Sequence, residues 1–174
     1  MSVAERLAER IAVLDPARLP TAVRAKCEEL LIDVIGLAIA ARREDYVASV
    51  RAAWDDGGVC TGIGHAEPMS AAGAAFVNGT AVHGEDFDDT FEGGPVHAGA
   101  VIVPSVLAAC ERHGADGPAA LLGIAVGVET MCRLSLVVPK AVHRAGFHPT
   151  AVLGAVGAAA GVGAALRLNQ RQLV

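Results

Sequence analysis

The chain is 174 residues long, 53% hydrophobic and only 19% charged, with a formal net charge of -5 and a mean hydropathy of +0.45. That length holds one core of ordinary size, and no linker-like stretch divides it, so 1–174 reads as one domain or part of one. Lysines and arginines are scattered singly, which leaves no basic stripe to track a phosphate backbone and excludes nucleic acid as a partner.

In chain order, Ser2 followed three positions later by Glu5 forms a capping-box pattern, with Leu7, Ile11 and Leu14 on one face of a first helix. Pro16 and Pro20 break it. Thr21 opens a longer helix through AVRAKCEELLIDVIGLAIAARR, amphipathic at first and then apolar nearly all round, which predicts a buried far end. Asp33 inside it reads as a side chain held by a neighbouring turn. A short helix over 45–55 leads to Gly57-Gly58 and to VCTGIG, the one strand-like piece. Pro68 and Ser70 introduce the helix MSAAGAAFVNGTAVHG, whose small residues let a neighbouring backbone approach.

That helix delivers the most unusual stretch, NGTAVHGEDFDDTFEGGPVH at 78–97. Glu85, Asp86, Asp88, Asp89 and Glu92 repel one another unless protons, cations, donors or water separate them. Apolar, small-residue helices on both sides favour a pocket over a solvated tail. Gly93-Gly94-Pro95 reads as a flexible turn. A helix from about Gly99 then ends at Gly114, with Pro104 implying a kink or a late start.

Asp116 or Gly117 starts a central apolar helix, PAALLGIAVGVETMCRLSLVV, carrying a Glu129/Arg133 pair and stopped by Pro139. KAVHRAGFH connects to Pro149 and TAVLGAVGAAAGVGAALRL, read as a close-packed core helix rather than a membrane span. Asn169 looks like the N-cap of a further helix, so the chain reads as the front part of something longer or one half of a split protein. Cys27, Cys60, Cys110 and Cys132 show no disulfide or zinc spacing, and the N-terminus lacks a secretory h-region, which implies a reducing, cytoplasmic setting. The class is all-α.

Three ordered motifs, AAFVNGTAVHGEDFDDT at 74–90, His97-Ala98-Gly99, and GFHPTAVLGAVGAAA at 146–160, resemble the MmgE/PrpD family, which includes 2-methylcitrate dehydratase and cis-aconitate decarboxylase. The resemblance covers nearly the whole chain. It implies the first part of an all-helical domain, lacking the lid domain, with a homodimer or a lid-bearing partner chain. It also implies a small di- or tricarboxylate substrate and neither metal nor organic cofactor. Motif by motif it points to Asp86, Thr90, His97 and His148 as pocket residues. Histidine is the side chain best poised near neutrality for proton transfer beside a carboxyl group, so Asp86, His97 and His148 are the catalytic candidates. Thr90, Asp89 and Lys140 are the substrate-binding candidates, Lys140 as a nearby cation. The resemblance puts the family's pocket lysines and tyrosine beyond residue 174, so the isolated chain is expected to be incompetent alone.

The other histidines and acids have plainer readings. His83, one turn before Asp86, fits either a supporting partner or a helix-end hydrogen bond. His65, His113 and His143 read as surface or capping residues, and Asp88 and Asp89 fit turn and helix caps as well as substrate contacts. DDTFE spells a diphosphate–magnesium pattern, but aromatics are only 3% of the chain and no second metal motif appears. An inactive helical module, acting in dimerisation or regulation of a full-length relative, is the non-enzymatic alternative.

Overall fold

The computed structural model describes residues 1–54, 56–137 and 139–174. The order is α1 (Val3–Ala12), a 3-10 turn (Pro16–Arg18), α2 (Thr21–Ala41), α3 (Asp45–Ala53), β1 (Gly57–Cys60), α4 (Ala71–His83), α5 (Ala98–His113), α6 (Gly117–Val137), α7 (Ala141–Arg144), α8 (Pro149–Ala165) and α9 (Gln170–Leu173). The expected all-α class is what forms. The predicted helix ends at Asp55 and Val138 lie outside the described residues.

Local chemistry sets most boundaries. Ser2 and Glu5 close the capping box of α1, Ser70 Oγ accepts from the Gly73 amide to start α4, and Asn169 and Gln172 form a second capping box on α9. Gly114 ends α5 at φ 68°, a left-handed conformation that suits glycine. Pro104 neither delays nor ends α5: the helix already runs from Ala98, and the ring sits buried in its second turn.

The core lies where α2, α4, α5 and α6 meet, around Val34, Val77, Ile102, Val106, Ile124 and Met131. A smaller cluster of Ile11, Leu122, Val126, Ala160 and Ala164 sits beneath α1 and α9. Helices α6 and α8 pack through glycine. A Cβ on Gly161 would lie 2.7 Å from the Gly123 carbonyl oxygen, and one on Gly157 would lie 3.1 Å from that of Gly127. Contact so close is a backbone seam. It places the start of α8 beside the start of α5. Helix α6 is long and apolar enough to cross a membrane by length and composition, yet 56% of that apolar window is buried inside this fold.

Three expectations fail in the packing. The far half of α2 is not buried all round: Val34, Ala38 and Ala41 face the core, while Ile32 is 74% and Ile39 43% exposed. An apolar sequence gave no polar face to separate the buried stripe from the open one. Asp33 is likewise exposed rather than held by a turn. Nor is Gly93-Gly94-Pro95 a loose turn. The Phe91 amide donates to the Val96 carbonyl and the Gly94 amide to Phe91, Val96 is wholly buried, and a Cβ on Gly94 would strike Ser135 Oγ.

Candidate functional site

Three chain segments converge at one end of the bundle. Helix α4 ends at His83, held close to α5 because Gly79 passes under the Ala100 carbonyl, where a Cβ would come within 2.9 Å. His97 is the N-cap of α5 and His148 the N-cap of α8. The His97 amide donates to Thr150 Oγ1 at 3.1 Å, which ties the two helix starts together across 53 positions. Thr150 is 2% exposed, so that tie is sheltered from water.

The three imidazoles form one constellation. His83 Nε2 lies 3.0 Å from His148 Nε2, and their rings are 5.3 Å apart and only 9° from parallel. Stacked rings would not bring the two nitrogens so close at that centroid spacing, so these two lie nearly coplanar, tip to tip, at hydrogen-bonding distance. His97 tilts against both, with ring centres 4.9 Å from His83 and 6.3 Å from His148. Burial, and then the neighbouring charges of His83 and His97, lower the His148 pKa below the ordinary 6.5.

Four carboxylates of the acidic run are spread over several neighbours, with Asp86 and Asp88 both facing His97. Glu85 accepts from Tyr46 Oη at 3.0 Å, and burial together with Glu85 pushes that phenol up to about 12. Asp86, in a left-handed conformation at φ 53°, projects 79% exposed with Oδ1 3.7 Å from His97 Nε2. Asp88 is buried between imidazoles, with Oδ2 2.9 Å from His83 Nδ1 and Oδ1 3.2 Å from His97 Nδ1. Asp89 accepts the Ala98 amide at 3.2 Å and the Gly99 amide at 2.7 Å. It thereby fills the N-terminus of α5. Burial raises the Asp89 pKa, and those two amides pull against the rise.

Of the sequence candidates, Asp86, Thr90, His97 and His148 come together. Thr90 Oγ1 lies 3.4 Å from His97 Nδ1. Asp89 is turned to α5 as a helix cap. Lys140 precedes α7 in a left-handed conformation and is exposed, and among the described residues no hydrogen bond or ion pair links it to the cluster. Sequence reasoning underrated His83 and Asp88, which hold the centre. The signal for His83 was its place at the end of a helix five positions before Asp88, but nothing in sequence tells which of Asp88 and Asp89 faces inward. His113 and His143 are exposed as expected.

His83, Asp86, Asp88 and His97 offer ligand atoms all within 4.8 Å of one another. Two imidazoles and two carboxylates would also suit a divalent cation such as zinc, which would need the ligating ring nitrogens free of hydrogen. Phe87, 82% exposed, and Phe147, 63% exposed, stand on the rim beside Asp86 and His148.

The chain that carries this cluster on its 74–90, 97–99 and 146–160 motifs matches the MmgE/PrpD N-terminal domain over residues 5–174. The chain belongs to the MmgE/PrpD family. It is 26% identical over 170 residues to cis-aconitate decarboxylase-like protein oryM of Aspergillus oryzae, covering 91% of this chain and 35% of that protein. It is 27% identical over 165 residues to cis-aconitate decarboxylase of Aspergillus terreus, covering 87% and 33%. Mouse cis-aconitate decarboxylase is 38% identical over 106 residues, 55% of this chain and 20% of its own. The chain thus spans about a third of the length of the first two relatives.

Proposed function

We propose that this chain supplies the histidine half of a lyase site that moves protons at the carbon beside a carboxylate of a small di- or tricarboxylic acid, by dehydration of a 2-methylcitrate-like substrate or by decarboxylation. The observation that carries this is the meeting of His83, His97 and His148 within one hydrogen-bonding constellation. His97 and His148 are the acid–base pair, Asp86 holds a substrate hydroxyl or pairs with the facing His97 once that ring is protonated, and Thr90 donates to a substrate carboxylate. The N-terminus of α8, 17 residues long and without a side-chain cap, offers free amides and positive dipole charge to a second carboxylate. Free thiols at Cys27, Cys60, Cys110 and Cys132 fit a reducing compartment such as the cytoplasm.

A polycarboxylate needs cations, and among the described residues no lysine or arginine forms an ion pair with the cluster. The complete site therefore draws its cations from further polypeptide, whether a lid-bearing partner or a second copy in a homodimer. The same lack of cations favours a second reading, in which the chain is an inactive module acting in dimerisation or regulation. The test is an assay of hydration and dehydration of 2-methylcitrate, citrate and cis-aconitate, and of CO2 release from cis-aconitate. It is run on the chain alone and with a lid-bearing family member supplied in trans. Turnover only in the mixture, reduced about 10²–10⁴-fold by His97→Asn or His148→Asn, is expected. Absence of turnover in both states removes the lyase reading and leaves the module.

A further inference from the structure

We infer that Asp88 is a positioning residue whose single buried carboxylate fixes where the proton sits on all three imidazoles of the cluster. It deepens the lyase reading, since it gives the acid–base histidines their working tautomers.

The Asp88 side chain is wholly buried, and each oxygen faces a different ring nitrogen. Oδ2 meets His83 Nδ1 at 2.9 Å. Oδ1 faces His97 Nδ1 at 3.2 Å and has no hydrogen-bond partner of its own in the fold. An ionised carboxylate only accepts, so the His83 contact requires hydrogen on that Nδ1; Oδ1 is a buried acceptor not yet satisfied, and His97 Nδ1, the ring nitrogen facing it, is the donor that a small ring rotation would bring to it. Thr90 Oγ1, 3.5 Å from the Asp88 carbonyl oxygen and 3.4 Å from His97 Nδ1, can accept from that nitrogen while donating to the carbonyl. Two neutral rings with hydrogen on Nδ1 have bare Nε2 atoms. For His97 that bare nitrogen lies on the side of Asp86.

For His83 it faces His148 Nε2 at 3.0 Å, a distance that two bare nitrogens do not tolerate. His148 must therefore supply the hydrogen from its own Nε2, leaving its Nδ1 bare. One carboxylate dictates His83 and His97 directly and His148 through His83. The neutral pattern is Nδ1–H on His83, Nδ1–H on His97 and Nε2–H on His148. A structural ion pair would fix one ring and leave the other two free to choose.

Side-chain nitrogen NMR of the whole chain reads this directly, in EDTA to exclude metal and at about pH 8, above the ordinary histidine range. The three tautomers named are expected in the wild type, and any other neutral tautomer on any of the three rings overturns the inference. Asp88→Asn supplies one acceptor and one donor in place of two acceptors, so one neighbour must invert. Inversion of His97 alone, or of His83 and His148 together, is the expected result. Inversion of His83 without His148, or of no ring, overturns it. Should the variant fail to fold, the wild-type pattern still decides. Turnover does not enter the measurement, so failure of the lyase reading and failure of this one are told apart.

Discussion

Asp86 and Asp89 show how two carboxylates three positions apart come to opposite uses. Asp86 occupies a left-handed conformation that costs a non-glycine residue about 1–2 kcal/mol, with a side chain almost free of the fold. Asp86→Gly is therefore expected to stabilise the chain by up to about 1 kcal/mol in urea unfolding while removing the group that faces His97. A loss of stability would show that the carboxylate, not the backbone, matters there. Asp89→Ala is expected to cost about 1–2 kcal/mol, since it orphans the Ala98 and Gly99 amides at the start of α5. Unchanged stability would mean that water replaces the cap. From sequence these residues look interchangeable. The spacing of DFDDT places acids on several sides of an irregular loop, and only the tertiary positions of His83 and the α5 amides decide which carboxylate turns inward. His97 and His148 were legible through the family motifs that carry them, since a loop histidine before a helix start would otherwise read as structural, whereas Lys140 was chosen on nearness in sequence and is exposed, with no bond to the cluster among the described residues.

At the scale of elements, the α6–α8 seam and α2 give opposite forecasts for the same substitution. A methyl group on Gly161 would meet the Gly123 carbonyl, a backbone atom that cannot swing aside, so Gly161→Ala is expected to destabilise by about 1–3 kcal/mol. Gly36 lies in the exposed part of α2 with nothing within 4 Å of an added Cβ. Gly36→Ala is expected to stabilise by about 0.5–1 kcal/mol through helix propensity alone. Equal effects in thermal melts would mean that the helices do not pack through glycine. Helix existence and most caps were legible here, because Ser70, Gly114, Pro149 and Asn169 act on their own neighbours. The orientation of α2 was not, because its alternation of isoleucine, alanine and glycine lacks polar residues to mark an outer face, and burial had to be settled by which helices arrive beside it.

For the whole molecule, the lowered pKa of His148 makes stability depend on pH with a definite sign. A group whose folded pKa lies below its unfolded value contributes stability that is complete above 6.5 and is lost as the pH falls through the folded value. Denaturation midpoints are therefore expected to decline on acidification through that window, and His148→Gln should flatten the decline. A His148 resonance titrating above 6.5 would reverse the sign. The contact between His83 and His148 spans 65 positions, and its nitrogens meet only after α4, α5 and α8 have all docked. Closing so long a loop is entropically demanding, and no short excerpt of the chain contains both rings. A stopped-flow probe of that proton would therefore stay silent through collapse and early helix formation, and would switch on as a single late event that timestamps completion of the native state.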